Sequence, residues 1–198
     1  MKIILMRHGQ PTLKPCPGKV SPSDMHRWIS DYNLSEVMDY PAPPTTRELT
    51  TQAKYIISST MPRALTSLDR LGLKPFQTDT LFSEAELPFL HWPGPRLSPL
   101  TWAFVFRMLW LCGYSRGVES FSEARERAQR AAQRLISLAE EGTVLLLGHG
   151  IMNRLIARQL LAHGWKSETR HGNKYWSASF YILPAGPCRI SVHCCPFA

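Results

Sequence analysis

The chain has no hydrophobic run long enough to span a bilayer. Leu100 to Tyr114 is strongly apolar, but Arg107 interrupts it and it falls short of the roughly 18 residues a span requires, which predicts a buried or lid helix and no membrane partner. Ile3 to Met6, ahead of Arg7, is too short for the roughly 7 to 15 residue core of a signal peptide. Cysteine is sparse and unpatterned: Cys16, Cys112, Cys188, Cys194 and Cys195 contain no C-x-x-C pair, so neither a zinc ribbon nor a secreted disulfide scaffold is expected, and a reducing cytoplasm fits best. His26, His91, His163, His171 and His193 show no ligand spacing, so no metal site is expected either.

The chain's 198 residues are enough for one ordinary domain that buries roughly 70% of its unfolded surface. With 44% apolar and 19% charged residues, disorder and coiled-coil bias are excluded. The net charge of +8 suits an anionic partner but does not choose among a phosphorylated metabolite, nucleic acid and an acidic surface. Arg125, Arg127, Arg130 and Arg134, set among Glu123 and Glu126, read as a solvated helix face, so no specific nucleic-acid partner is expected.

Ile3-Ile4-Leu5-Met6 ends in Arg7-His8-Gly9, as a strand buried on both faces would where it opens into a polar crevice. Tyr55 to Ser58 leads into Ser59-Thr60, where Thr60 is placed to cap a helix with Pro62 in its first turn. Thr143 to Leu147 runs into Gly148-His149-Gly150 and a helical pattern to Leu161. A capping box of Ser120 and Glu123 starts a long amphipathic helix ending near Glu141, with Gly142 as its stop. Ser177 to Leu183 and Arg189 to His193 read as an antiparallel edge hairpin about Pro184 to Pro187, and the proline patches at 41–44 and 88–99 as surface loops. The expected fold is α/β: a three-layer sandwich with a mainly parallel central sheet between helices and an antiparallel C-terminal edge.

In such a sheet the strands' carboxyl ends share one edge, which converges Arg7, His8, Arg63 and His149. Like charges about 4 Å apart repel by about 4 kcal/mol at an effective dielectric near 20, and a bound dianion removes that cost. Phosphate matches the arginine forks, and glycines beside both histidines allow close backbone approach.

Leu5-Met6-Arg7-His8-Gly9-Gln10, Ser59-Thr60-Met61-Pro62-Arg63-Ala64 and Gly148-His149-Gly150 together resemble the histidine phosphatase, or phosphoglycerate mutase-like, superfamily. The resemblance implies one domain over residues 1–198 with a cap-like insertion at about 87–118. It implies His8 as the phosphorylated nucleophile, Arg7, Arg63 and His149 as the phosphate pocket with His8, and a carboxylate proton donor after the second motif, with no metal or other cofactor. Glu84 aligns best with that donor, and Glu86 is the alternative acid. Thr50-Thr51-Gln52-Ala53 lacks the glycine common before Gln-Ala in the family, which implies a shortened or altered helix there. Gln10, Arg96 and Arg107 are candidates for the substrate rim. The leading function is a phosphomonoester hydrolase acting on a small phosphorylated metabolite or a phosphoprotein. The alternatives are a cofactor-dependent phosphoglycerate mutase and, from another class, a non-catalytic phosphate- or nucleic-acid-binding protein. The three tryptophans Trp92, Trp102 and Trp110 either wall the substrate mouth or fill a core.

Overall fold

The computed structural model describes residues 1–13, 18–170 and 174–184. Six strands form one sheet in the order β3-β2-β4-β1-β6-β5: β1 (Lys2–Arg7), β2 (Tyr55–Ser58), β3 (Gln77–Thr78), β4 (Val144–Gly148), β5 (Lys166–Arg170) and β6 (Ala178–Ile182). Strands β1 to β4 run parallel, β6 lies antiparallel to β1, and β5 antiparallel to β6. Six α-helices flank the sheet: α1 (Met25–Leu34), α2 (Pro44–Thr50), α3 (Pro62–Leu71), α4 (Pro99–Leu111), α5 (Phe121–Ala139) and α6 (Gly150–Ala162).

The continuous apolar runs of β1 and β4 follow from burial on both faces. Ile3, Leu5, Val144 and Leu146 point to one side, where the alanine stripe of α5 and Met152, Leu155 and Ile156 of α6 cover them. Ile4, Met6, Leu145 and Leu147 point to the other, against Leu68 of α3 and Phe180 of β6. These are the three expected layers. A separate cluster ties Met25 and Ile29 of α1 to Trp102 and Phe106 of α4.

Ser120 and Glu123 form the expected capping box, although α5 ends at Ala139, short of Glu141. The cap of α3 is Met61 rather than Thr60, because Ser59 Oγ already accepts from the Met61 N–H (3.3 Å) and the chain enters the helix one residue later. Helix α2 is short, at 7 residues, and Pro44 opens it instead of lying in a loop. The hairpin reading needs correction: β6 pairs with β1 and with β5, a polar strand, Lys-Ser-Glu-Thr-Arg, that has no apolar alternation to reveal it. Its expected partner, Arg189 to His193, lies outside the described residues, as do Cys16, Cys188, Cys194 and Cys195. Trp102 and Trp110 fill core, their indole N–H groups donating to the Val20 and Glu119 carbonyls, whereas Trp92 is exposed. Among the described residues, no helix is long and apolar enough to cross a membrane.

Candidate active site

The parallel register sets Arg7 beside Gly148 and Ser58 beside Leu147, so the chain leaves β1, β2 and β4 at one sheet edge. The His8 N–H donates to the Gly148 carbonyl (3.1 Å), which brings the rings of His8 and His149 to 5.1 Å between centroids. Both are buried, at 1% and 0% exposure. Gly9 is required by space, since a Cβ there would lie 2.4 Å from the Trp176 ring. Trp176 itself sits at φ 63°, held by its N–H to the His8 carbonyl (3.3 Å) and by the Thr46 hydroxyl on its own carbonyl (3.4 Å). Gly150, by contrast, has ordinary room for a Cβ, 3.6 Å from the Arg7 guanidinium, so close packing does not explain that glycine.

His8 Nδ1 lies 2.7 Å from the Gly9 carbonyl oxygen. A carbonyl only accepts, so Nδ1 carries the proton and the lone pair is on Nε2. Burial, then the Arg63 guanidinium, lower the His8 pKa to about 3; the Gly9 hydrogen bond opposes this and Arg7 adds to it. Burial, then Arg63, His8, Arg7 and Arg127, hold His149 well below the ordinary value of 6.5. Its Nε2 is 2.6 Å from Ser59 Oγ, and its Nδ1 has no partner among the described residues. When the Ser59 hydroxyl donates to Nε2, Nδ1–H is left to meet a ligand oxygen.

Two histidines held neutral make stability depend on pH. The unfolded chain protonates them near 6.5, while folded His8 resists until about 3. The His8 contribution is therefore present above about pH 6.5 and is lost as pH falls toward 3, with a slope approaching about 1.4 kcal/mol per pH unit, and His149, also held well below 6.5, acts in the same direction. Urea unfolding between pH 6.5 and 5, where carboxylates contribute little, should show this slope. In His8→Asn it should be about half as steep.

Arg63 enters from the first turn of α3 and is buried (1% exposed). Its Nη1 donates to the Tyr32 and Asn33 carbonyls (3.1 and 3.5 Å) at the electronegative last turn of α1, the Tyr32 carbonyl also accepting from Ser35, and its plane lies over the Tyr32 ring at 4.8 Å. Its Nε, also buried, has no partner among the described residues. The Arg7 guanidinium lies over the Tyr175 ring at 4.5 Å. Two neutral imidazoles and two guanidinium groups thus meet at one sheet edge with a net charge of about +2, which matches a phosphate dianion.

Glu84 reaches this edge from the other side. Helix α6 has no side-chain cap of its own, and the Glu84 carboxylate serves instead: Oε1 accepts from Ala85, Ile151 and Met152 N–H (3.1, 3.1 and 2.9 Å), and Oε2 from Ile151 (3.1 Å). Oε2, with a single donor, is the oxygen open to a ligand. Two arginines fix the loop around it. Arg107 of α4 donates to the Ala85 and Glu86 carbonyls (2.7 and 3.4 Å), and Arg127 of α5 donates to the Leu81 and Ser83 carbonyls (2.9 and 2.8 Å) while paired with Glu119. Arg127 was read from sequence as part of a solvated face; here it is largely buried.

A cleft of about 440 Å³ opens from Arg7, Arg63 and Glu84 outward and is lined also by Gln10, Glu86 and Arg107. Arg96 is not brought to it, for its side chain is 71% exposed and lies 3.7 Å from Asp24. Trp28 and Tyr32 line the cleft and belong to the stretch Ser21 to Tyr32 to which the sequence assigns substrate choice, whereas Tyr175, also on the wall, had no signal in the sequence. The first two share a helix face at i and i+4, a signal that reads equally well as core. Among the described residues, no group of three or more His, Cys, Asp or Glu side chains is placed to hold a metal ion.

No curated protein matches the chain significantly. Among solved structures it is similar to an open reading frame product of Mycobacterium tuberculosis (18% identity, TM-score 0.61, covering 90% of this chain and 89% of that one). It is also similar to a mycobacterial glucosyl-3-phosphoglycerate phosphatase (18%, 0.59, 90% and 91%) and to a phosphoserine phosphatase of Entamoeba histolytica (17%, 0.57, 91% and 90%). Identities this low establish a common fold. The family model for branch 1 of the histidine phosphatase superfamily matches residues 3–193, nearly the whole length, and the chain belongs to that superfamily.

Proposed function

We propose that the protein is a phosphomonoester hydrolase working through a phosphohistidine on His8, with a phosphorylated small molecule or phosphoprotein as substrate. The observation that carries this reading is the tautomer of His8: a buried neutral imidazole whose Nδ1–H is tied to the Gly9 carbonyl has its Nε2 lone pair available.

In the first step the Nε2 lone pair attacks phosphorus, the ester P–O bond breaks, and the Glu84 proton goes to the departing alcohol oxygen. The ring becomes a phosphoimidazolium, which the Gly9 carbonyl stabilises through Nδ1–H. Arg7, Arg63 and His149 neutralise the three equatorial oxygens, the unpartnered Arg63 Nε–H and His149 Nδ1 being in place for this. In the second step water attacks phosphorus, Glu84 takes its proton, and the P–N bond breaks with its electrons returning to Nε2. Free enzyme and inorganic phosphate result. The cycle as proposed calls on no metal or organic cofactor, since proton transfer falls to Glu84 and charge neutralisation to the arginines. Residues 87–118 are the cap, contributing Leu87, Leu100, Ala103 and Arg107 to the cleft.

The test is hydrolysis of 4-nitrophenyl phosphate by EDTA-treated protein with inorganic phosphate as inhibitor. Turnover with competitive inhibition is expected. Absence of turnover with intact phosphate binding would instead favour a silent binding protein.

A further inference from the structure

On the phosphatase reading above, we infer that the substrate is the phosphomonoester of an uncharged, apolar alcohol with a flat or aromatic body, not of a carboxylate-bearing metabolite. Beyond the phosphate site, the cleft is walled by Leu13, Trp28, Ile29, Leu87, Leu100 and Ala103. Trp28 stacks on Tyr32 with ring planes 9° apart and centroids at 5.4 Å, which fixes a flat surface on one side. Leu100 stands on the cleft wall at 59% exposure, a solvated leucine that an apolar ligand would cover.

Charge argues the same way. A leaving group that carries a carboxylate needs a cation outside the phosphate pocket. Among the described residues, Arg107 is the one further cation lining the cleft, and its Nη atoms are engaged by the Ala85 and Glu86 carbonyls. Arg96 lies elsewhere. Glu86 lines the same cleft and, as a carboxylate with no part in the proposed proton transfer, would repel a second anion. A polyhydroxylated alcohol would have Gln10, Asn33, Glu86 and the hydroxyls of Tyr32 and Tyr175 to meet it beyond the phosphate site, but its remaining hydroxyls would lie against the apolar wall of Leu13, Ile29, Leu87, Leu100 and Ala103.

The experiment compares kcat/KM for benzyl phosphate with that for glycerol 3-phosphate, 3-phosphoglycerate and O-phosphoserine. All four release primary alcohols, so intrinsic leaving ability is nearly matched. Benzyl phosphate should be favoured by about 10- to 100-fold, and Trp28→Ala and Leu100→Ser should each lower its ratio to glycerol 3-phosphate. Leu100→Ser, at an exposed position, keeps the test available if Trp28→Ala fails to fold. Equal or better hydrolysis of the carboxylate substrates, lost in His8→Ala, would overturn the inference while leaving the phosphatase reading intact. No turnover of any of the four would sink the phosphatase reading itself.

Discussion

Alanine in place of His8 lowers kcat for every phosphomonoester by about 10⁴- to 10⁶-fold, the loss expected when a covalent nucleophile is removed. Binding should respond far less. Arg7, Arg63 and His149 are positioned by their own elements: Arg7 on β1 over Tyr175, Arg63 by the α1 carbonyls, and His149 by Ser59. The dissociation constant of inorganic phosphate, measured by calorimetry, should therefore stay within about tenfold, because two arginines still match the dianion. The contrast separates nucleophile from ligand-holder. If kcat and phosphate affinity fell together, His8 would be a structural member of the pocket, and the lone pair on Nε2 would have no special role.

Glu84→Gln gives the second large effect, and its size depends on the alcohol. With an alkyl leaving group, which cannot depart as alkoxide, loss of the proton donor should cost about 10² to 10⁴ in kcat. With 2,4-dinitrophenyl phosphate, whose leaving group needs no proton, the first step should be nearly unaffected. Glu86→Gln should change neither by more than about threefold, since Glu86 is exposed and touches the loop's arginine through its backbone carbonyl, not its carboxylate. Arg127→Met belongs to the same experiment. Arg127 touches no substrate; it holds the Leu81 and Ser83 carbonyls just before Glu84 and acts by position, so its loss should also fall most heavily on alkyl phosphates, by about 10- to 100-fold, with KM little changed. Equal losses with both leaving groups would mean that Arg127 only stabilises the fold.

How much of this was legible in the sequence followed from burial. Strands β1 and β4 are covered on both faces, so their composition had to be continuously apolar, and the polar residues that end them had to lie at the sheet edge. That logic found Arg7, His8 and His149 without knowledge of any partner. It had no purchase on β5, an edge strand where Lys166 and Glu168 gain nothing from apolar alternation and are safer charged. Nor could it find contacts that close over long separations. Glu84 caps a helix whose first N–H groups belong to residues 67 and 68 positions away, and nothing local to Glu84 announces this. Arg107 and Arg127 look like rim and surface charges along the chain, and become loop anchors only because α4 and α5 pack beside residues 81–86. The aromatic wall was legible as a segment, Ser21 to Tyr32, but not as particular side chains: a Trp28–Tyr32 pair at helical spacing has the pattern of a core face, and only the cleft beside it shows what it borders.

Chemical trapping gives the most direct test of covalent transfer. Protein mixed with ³²P-labelled phosphomonoester and quenched in alkali within milliseconds should carry label that is acid-labile and base-stable, as a phosphoramidate is, and that maps to the peptide containing His8. If turnover is rapid, yet labelled protein is absent at every quench time and the released phosphate shows a single inversion at phosphorus, water attacks the substrate directly and the imidazole of His8 is not the phosphoryl carrier.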